Sequence, residues 1–403
     1  MIPICHVQVL PLLSGVQNAM LDMLRYLDRN LVEPHVVCQS SGPLTDELAR
    51  REIPFHLVPS FGRPIRPGKD ARAYFALRRL FAKHRFRLVH NHSAKPRAVG
   101  TFSARHAGVP TVVNTVQGYP FHERTSPAIA AVYRRIEAAV AQRSDQTIFV
   151  NHSDEQRAIA AGLVPADRCT TIYNSVDLDQ YAPDPAAGRR YREQHGFHAN
   201  DVLLTVLGRL EEQKQPLILP SIARAIERLS TDAPWQIVVA GDGSLRPDLE
   251  QAIEGANVKH RVRLLGWQES PLDLLHASDV LLLPSLWEGL PVALVEAHAA
   301  GVPCVASDIR GNDEVVTRKT GRLVPATDAA GFASALAELI DSPLLRHQLS
   351  IAARSRAEEH FDTGKNNRKM LDVYGQLLDM TLDLPAGMRR AISRAYSAIV
   401  GCR

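Results

Sequence analysis

The stretch "VLLLPSLWEGLPVALVEAHAAGVPCVAS", Val280–Ser307, contains a complete strand–helix–strand pattern. Two short apolar runs, Val280–Leu283 and Pro303–Ser307, enclose a longer apolar segment, and Gly-Leu-Pro separates the first run from that segment. A strand that is apolar on both faces is typical of a parallel sheet covered by helices. The stretch therefore predicts a βαβ unit of an α/β protein.

The same alternation extends along the whole chain. In the first half, six apolar runs favour strands: Ile4–Leu10, His35–Gln39, Phe55–Val58, Arg87–Asn91, Pro110–Thr115 and Gln146–Val150. In the second half, six more follow: Val202–Leu207, Gln236–Ala240, Val262–Leu265, Val280–Leu283, Pro303–Ser307 and Arg322–Val324. Helical patterns separate these runs, which indicates parallel sheets with helices on both faces. We expect two Rossmann-like, doubly wound domains facing a cleft in which ligands bind.

The stretch Asn174–Gly188, rich in proline and small residues, is expected to connect the two domains. We place the first domain at residues 1–180 and the second at residues 181–379. A C-terminal helix at about 380–403 is expected to pack back on the first domain.

The composition excludes several classes of protein. The chain has 403 residues, 45% of them hydrophobic and 22% charged, which is typical of soluble globular proteins. It shows no signal-peptide pattern and no apolar run of roughly 18 residues. Five cysteines lie far apart without a Cys-x-x-Cys pair, so neither a disulfide framework nor a zinc cluster is indicated. We expect a cytoplasmic protein.

The positive charge is concentrated in one segment. Between Phe61 and Pro110 there are twelve Lys or Arg residues and one acidic residue, Asp70. Asp70 is expected to cap an amphipathic helix, Ala71–Phe81. This basic segment, Arg63–Arg105, either forms a solvated face or lies on an anionic membrane surface at the inner face of the plasma membrane. We do not expect nucleic acid to be a partner.

Two cations follow the strand Val202–Leu207. Arg209 comes directly after Gly208, and Lys214 precedes Pro216. Ligands of doubly wound sheets bind beyond the carboxyl ends of the strands, so both cations are placed where a phosphate would bind. They are either solvated surface charges or a clamp for a phosphate group.

Two glutamates flank the start of the predicted helix in Val280–Ser307. Glu288 precedes the helix, and Glu296 lies about one and a half turns inside it. Val292, Val295 and Ala299 are expected to face the core, and a carboxylate on so apolar a helix needs a binding partner. A ribose diol suits Glu296, and the helix N-terminus near Gly289 and Leu290 suits a phosphate. Glu288 then reaches the group beyond the phosphate, as expected for a nucleotide sugar.

These motifs resemble a known family. The Glu288-x7-Glu296 element, "GRLEEQK", "GDGSLR" and the segment from "GWQES" to "GNDEVV" resemble the second domain of retaining GT-B glycosyltransferases of the GT4 family. "PLLSGVQNAML" and "VHNHSAKPRAVGTFSARHAGVPTVVNTVQGYPFHE" resemble the first domain of bacterial polysaccharide and glycolipid transferases. The resemblance implies metal-independent transfer of a sugar with retained anomeric configuration and no cofactor. UDP is the expected nucleotide because it is the commonest among similar transferases.

The resemblance also implies roles for residues in the first half. Gly15 would contact the donor, and His92, Gln117, Tyr119 and His122 would lie on the acceptor or sugar side. Gln117 stands where many relatives have histidine, and it cannot titrate. The expected acceptor is a glycan or a polyprenyl-diphosphate-linked glycan. Arg209, Lys214 and Glu288 are the expected catalytic residues.

Three other functions fit a doubly wound chain. A nicotinamide dehydrogenase needs Gly-x-Gly-x-x-Gly after a strand, and "GDGSLR" lacks the third glycine. A nucleotide-sugar epimerase of the same fold would change its donor without an acceptor. A non-catalytic nucleotide-binding regulator would turn over no donor.

Overall fold

The chain forms two α/β units, each built on its own parallel sheet. The computed structural model describes residues 1–119, 125–229, 231–268 and 271–381. The first unit consists of Met1–Tyr173 and the helix that begins at Thr363, and the second consists of Asn174–Asp362. The prediction of two Rossmann-like α/β domains is confirmed.

The first unit contains a seven-stranded sheet. Its strands are β1 (Ile2–Val7), β2 (Val32–Cys38), β3 (Phe55–Leu57), β4 (Leu88–His92), β5 (Thr111–Val116), β6 (Gln146–Phe149) and β7 (Cys169–Thr171). All neighbours pair in parallel, in the order β3-β2-β1-β4-β5-β6-β7. The direction of winding therefore reverses between β1 and β4, and ligands of such sheets bind outside the carboxyl ends at this point.

Helices cover both faces of the first sheet. They are α1 (Gly15–Arg25), α2 (Pro43–Arg50), α3 (Pro67–His84), α4 (Thr101–His106), α5 (Pro127–Ala141) and α6 (His152–Ala160). A π-helical turn, Pro96–Gly100, leads directly into α4, and a 3₁₀ turn, Ala166–Arg168, precedes β7.

The second unit contains a six-stranded sheet. Its strands are β8 (Val202–Leu207), β9 (Trp235–Ala240), β10 (Val262–Gly266), β11 (Val280–Leu283), β12 (Cys304–Ser307) and β13 (Gly321–Val324). They are parallel and lie in the order β10-β9-β8-β11-β12-β13, so this sheet reverses its winding between β8 and β11.

The helices of the second unit pack on both faces of its sheet. They are α7 (Pro185–His195), α8 (Leu219–Arg228), α9 (Arg246–Gly255), α10 (Leu272–Ala277), α11 (Val292–Ala299), α12 (Asn312–Val315), α13 (Ala329–Asp341) and α14 (Pro343–His360). Two 3₁₀ turns, Glu212–Lys214 and Pro216–Ile218, connect β8 to α8. No helix in the described ranges is both long and apolar enough to cross a bilayer.

The chain returns to the first unit through its last described helix, α15 (Thr363–Thr381). Leu371, Tyr374 and Leu378 of this helix are buried in the same core cluster as Ile4 of β1. The predicted boundaries at 180 and 379 differ from this arrangement, because residues 363–379 pack with the first unit and the second begins at Asn174. The helix expected at about 380–403 lies almost entirely outside the described residues.

All twelve predicted strands occur, with ends shifted by at most three residues. The prediction missed β7, whose sequence Cys-Thr-Thr is short and only half-buried. Asp70 does not stand before its helix as predicted: α3 begins at Pro67, and the Asp70 carboxylate accepts a hydrogen bond from the Arg66 backbone N–H at 2.9 Å. The acidic side chain still caps the first turn, from a position inside the helix.

Candidate active site

The winding reversal in the second sheet brings two loops together. One loop follows β8 and contains Lys214, and the other follows β11 and contains Glu288. β8 and β11 are neighbours, with Val280 opposite Leu204 in the parallel register. The carboxyl ends of these strands are the place where such sheets bind ligands.

An ion pair joins the two loops. The Lys214 Nζ lies 2.6 Å from Oε1 of Glu288, and the Glu288 side chain is only 7% exposed. Gln213 donates from Nε2 to the Trp287 carbonyl oxygen at 3.0 Å and to Glu288 Oε2 at 3.3 Å. The Leu286 N–H donates to the Gln213 carbonyl oxygen at 2.8 Å. These bonds hold Lys214 and Glu288 close together.

Glu296 lies on α11, in reach of the charge of Lys214. The Tyr181 hydroxyl donates to Glu296 Oε1 at 2.9 Å. Burial raises the pKa of Glu296 to about 7, against the opposing effects of the Tyr181 hydrogen bond and the positive Lys214. The carboxyl group therefore gains and loses its proton near neutral pH, which is unusual for a glutamate.

The helix carrying Glu296 is more buried than predicted. Val295 and Ala299 face the core as expected, but Leu294 and His298 are also fully buried, and Val292 is only partly so. An apolar helix buried on most sides leaves a carboxylate few directions in which to point. The Tyr181 hydroxyl supplies one partner for this carboxylate.

The start of α11 is supported by close backbone packing. Pro291 is the residue before the helix, and the Leu290 carbonyl oxygen accepts a hydrogen bond from Asn174 Nδ2 at 3.1 Å. Gly311 has φ +85°, and a Cβ atom there would lie 1.7 Å from the Gly289 carbonyl oxygen. Only glycine fits this position, so the loop after β12 fixes the backbone at Gly289 and Leu290.

A second close contact between backbone segments supports the loop after β8. Gly241 has φ +151°, and a Cβ atom there would lie 1.9 Å from the Gly208 carbonyl oxygen. Arg209, the next residue, is 44% exposed and pairs with Glu211 at 2.8 Å. Its guanidinium therefore faces solvent beside the site, whereas Lys214 is held inside it.

In the first unit, Gly15 and His92 lie at the corresponding reversal. Gly15 is the first residue of α1, in the connection that follows β1, and His92 ends β4. His92 is 5% exposed, and its Nε2 lies 3.1 Å from Nδ1 of His6. Burial lowers the pKa of His92 to about 3, so the ring is neutral.

Gln117 and Tyr119 follow β5 and are half-buried. The Arg97 guanidinium lies over the Tyr119 ring at 5.7 Å and forms an ion pair with Glu137 at 2.6 Å. The other predicted residue of this group, His122, lies outside the described residues.

The basic segment is smaller than its charge count suggested. Arg97 is 1% exposed, Lys95 pairs with Asp70 at 2.6 Å, and Arg105 pairs with Asp145 at 2.6 Å. Eight cations remain exposed: Arg63, Arg66, Lys69, Arg72, Arg78, Arg79, Lys83 and Arg85. Lys95, Arg97 and Arg105, at the C-terminal end of the segment, are paired with acidic residues. The exposed positive charge is therefore confined to α3 and the residues beside it.

Sequence reasoning missed three residues that shape these sites. Tyr181 and Asn174 lie in the connecting segment, where no periodic pattern marks them, and both reach α11 or its first turn. Arg97 was counted as a surface charge. Its partners, Tyr119 and Glu137, are distant in sequence, so no local pattern marks its burial.

Comparisons with known proteins assign the chain to a family. Residues 188–356 match the family model "Glycosyl transferases group 1", and residues 13–180 match "Glycosyltransferase Family 4". A relative from Escherichia coli, "UDP-Gal:alpha-D-GlcNAc-diphosphoundecaprenol alpha-1,3-galactosyltransferase", is 35% identical over 384 residues, covering 95% of this chain and 98% of the relative. The chain belongs to the GT4-type glycosyltransferases with the GT-B fold.

A more distant relative agrees with this assignment, and a solved structure shares the fold. The putative glycosyltransferase EpsD of Bacillus subtilis (strain 168) is 26% identical over 331 residues, which cover 80% of this chain and 85% of the relative. The crystal structure of Anabaena Alr3699/HepE in complex with UDP and glucose has the same fold, with a TM-score of 0.80 at 21% identity over 93% of this chain and all of that one.

The two family models match the parts of this glycosyltransferase that contain its two sheets. Lys214, Glu288 and Glu296 fall within the first of the two matches, and Gly15 and His92 fall within the second. The family match therefore favours glycosyl transfer over the dehydrogenase, epimerase and regulator that the fold also allows.

Proposed function

We propose that this glycosyltransferase moves a hexose, with retention of anomeric configuration, from a UDP-sugar to a glycan carried on a polyprenyl diphosphate. The product would enter cell-surface polysaccharide or glycolipid synthesis. The 35% identical E. coli relative is named for UDP-galactose and a diphosphoundecaprenol acceptor, so galactose is the first sugar to test. The observation that carries the proposal is the Lys214–Glu288 pair at the winding reversal, with Glu296 nearby.

The donor is proposed to lie along α11. Glu296 would accept hydrogen bonds from the ribose hydroxyl groups, and the N–H groups near Gly289 and Leu290 would face the diphosphate. Glu288 would then contact the sugar, because it precedes the helix start on the side away from Glu296. The same order of groups, ribose, diphosphate and sugar, is found in every nucleoside diphosphate sugar.

Lys214 supplies the charge that the reaction needs. As the bond between the sugar and the diphosphate breaks, negative charge grows on the leaving phosphate and positive charge grows on the sugar ring. A preorganised cation stabilises the first charge, and removing one such group typically lowers turnover about 10²–10³-fold. Lys214 is held by Glu288 at 2.6 Å, so it needs little reorganisation when the donor binds. Arg209 would support it from the solvent side.

Glu288 is proposed to act on the sugar, on the other side of the bond that breaks. Its carboxylate would orient the sugar and favour the positive charge on the ring. The incoming acceptor hydroxyl would pass its proton to the leaving phosphate oxygen on the same face, which retains the configuration. This route needs no metal ion and no cofactor.

Product analysis tests this proposal. The enzyme would be incubated with a GlcNAc-diphosphate-lipid acceptor and UDP-galactose, UDP-glucose, UDP-GlcNAc or GDP-mannose, with and without EDTA. We expect a UDP-sugar to be transferred, NMR to show an α-linkage, and EDTA to have no effect. GDP-mannose is included because a relative from Mycolicibacterium smegmatis, 26% identical over 307 residues, is named as GDP-mannose-dependent. A β-linked product, a requirement for GDP-mannose or full inhibition by EDTA would contradict the proposal.

A further inference from the structure

A group of three histidines lies outside the candidate active site. His35 lies in β2, His56 lies in the edge strand β3, and His84 is the last residue of α3. One ring nitrogen of each histidine lies within 4.8 Å of those of the other two. The closest pair is His35 Nδ1 and His56 Nε2, at 3.0 Å.

The fold brings these residues together from three elements. β2 and β3 pair in parallel with Val37 opposite His56, so His35 and His56 lie on neighbouring strands. The ring of His84 reaches them from the end of α3, with its centroid 4.6 Å from that of His56. Phe86 packs against His35 in an edge contact at 5.1 Å and stacks on His84 at 5.5 Å. A single aromatic residue thus supports the group from one side.

The group is accessible, and the pKa values of two of its rings are lowered. His35 is buried, whereas His56 and His84 are half-buried, which leaves a route from solvent. Burial lowers the pKa of His35, and burial with the nearby His84 lowers the pKa of His56 to about 4. A neutral imidazole ring offers one nitrogen lone pair to a metal ion.

A carboxylate supports one of the rings from behind. Oε1 of Glu33 lies 3.4 Å from Nε2 of His35, the nitrogen opposite the one that faces His56. Histidine ligands of metal ions commonly donate their second N–H to such a carboxylate, which orients the ring. Lys83 is also near, but its side chain is exposed, and solvent screens its charge.

The first unit contains another three-histidine group, and it lacks these features. His6, His90 and His92 are all buried. Both ring nitrogens of His90 already have partners, the hydroxyl groups of Tyr374 and Thr115. Both nitrogens of His90 are therefore already hydrogen-bonded, and all three rings are buried, whereas His56 and His84 of the other group are half-buried.

We propose that His35, His56 and His84 bind one divalent transition-metal ion of the zinc class, with Glu33 orienting His35. Two nitrogen ligands of a tetrahedral zinc ion at 2.0–2.1 Å lie roughly 3.3 Å apart, and the observed 3.0 Å between His35 and His56 is close to this. Three imidazole ligands suit Zn²⁺, Co²⁺, Ni²⁺ or Cu²⁺ rather than Mg²⁺ or Ca²⁺. The ion would link β2, β3 and α3, and a water molecule would take the fourth position.

Metal titration of the full chain tests this proposal. Tag-free protein would be stripped with a chelator, then titrated with Co²⁺ by visible absorption and with Zn²⁺ against a chromophoric chelator. We expect one ion per chain. The His56→Gln and His84→Gln variants should each bind at least about tenfold more weakly, and Glu33→Gln about 10–100-fold more weakly with the stoichiometry unchanged.

A matched control separates this site from surface binding. His260 also lies beside a carboxylate, Glu227 at 2.8 Å, on the surface of the second unit. The His260→Gln variant should bind metal as the wild type does. Zn²⁺ should raise the melting temperature of the wild type and of His260→Gln but not of His84→Gln, which replaces a half-buried residue at a helix end. Equal metal affinity in the wild type, His56→Gln and His84→Gln would overturn the proposal, as would loss of binding in His260→Gln.

Discussion

Glu288 and Glu296 have different partners in the structure, and this difference predicts different phenotypes. Glu296→Ala should weaken UDP and UDP-sugar alike, by about 1.5–3 kcal/mol, because it removes charge-assisted hydrogen bonds to the ribose. Glu288→Ala should leave UDP affinity almost unchanged and lower turnover, because Lys214 then remains available to the phosphates. Isothermal titration with UDP and steady-state kinetics with the donor measure both effects.

The control for these variants is Glu338→Ala, which removes an exposed carboxylate paired with Arg322 at 2.7 Å. This variant should change neither the affinity for UDP nor the turnover of the donor. If Glu288→Ala abolished UDP binding while Glu296→Ala left it intact, the proposed order of ribose and sugar along α11 would be reversed.

The raised pKa of Glu296 predicts that donor binding depends on pH. The free protein holds this carboxyl group with a pKa of about 7, next to the Tyr181 hydroxyl and the charge of Lys214. A ribose diol binds the ionised form, so the dissociation constant of the UDP-sugar should fall as pH rises through 7 and level off above it. Well below pH 7 it should change by about tenfold per pH unit. The diphosphate of an intact UDP-sugar does not titrate in this range, which makes it a better probe than UDP.

The Glu296→Gln variant is the control for this pH dependence. A glutamine cannot titrate, so its binding curve should be flat between pH 6 and pH 8. A slope as steep as that of the wild type would assign the dependence to another group.

At the scale of elements, α3 exposes a basic face that is proposed to contact an anionic membrane. Its apolar residues Ala73, Leu77 and Phe81 are buried in the core, whereas Arg78 and Arg79 are exposed. Phe75 is 62% exposed among these cations, and aromatic rings favour membrane interfaces. The Arg78→Gln/Arg79→Gln double variant should bind vesicles containing anionic lipid about 2 kcal/mol more weakly, since each cation contributes about 1 kcal/mol.

Co-sedimentation with these vesicles at low and high salt measures the loss. The matched control is Arg318→Gln/Lys319→Gln, which removes two adjacent exposed cations from the second unit. The proposed membrane contact would be wrong if vesicle binding did not depend on ionic strength, or if it fell equally in the control variant.

Elements were easier to predict than the contacts they make. The strands Val202–Leu207 and Val280–Leu283 occur with the predicted bounds, because each largely apolar run begins after an aspartate and stops at Gly208 or Pro284. Their order in the sheet then places Lys214 beside Glu288, as the rule for strand ends implies. The Tyr181–Glu296 hydrogen bond joins residues 115 positions apart, and no local pattern encodes it. The burial of Arg97 was missed for the same reason.

At the scale of the whole molecule, the first unit depends on a helix that follows the second unit in sequence. Leu371 of α15 is 1% exposed in the core shared with Ile4. Leu371→Ala should destabilise the first unit by about 2–5 kcal/mol, a large part of the stability of a typical domain. Removing the chain after Asp362 should unfold the first unit and leave the second folded.

Thermal unfolding and limited proteolysis measure this difference between the units. Tyr374→Phe is the matched control on the same helix, because it removes the hydrogen bonds of the hydroxyl group to His90 and Met23 and keeps the packing. Tyr374→Phe should reduce the stability of the first unit by less than Leu371→Ala does. A truncated chain that kept the protease resistance of the first unit would show that α15 is dispensable.

The return of the chain to the first unit also orders events during synthesis. The ribosome releases Met1–Tyr173 first, but the core of that unit lacks its last helix until residue 381 has emerged. The second unit is continuous in sequence and has all its strands by residue 324. The second unit can therefore complete its fold before the first unit does. Until then, apolar core residues of the first unit remain exposed and accessible to a chaperone. The half of the enzyme that is made first is the half that finishes last.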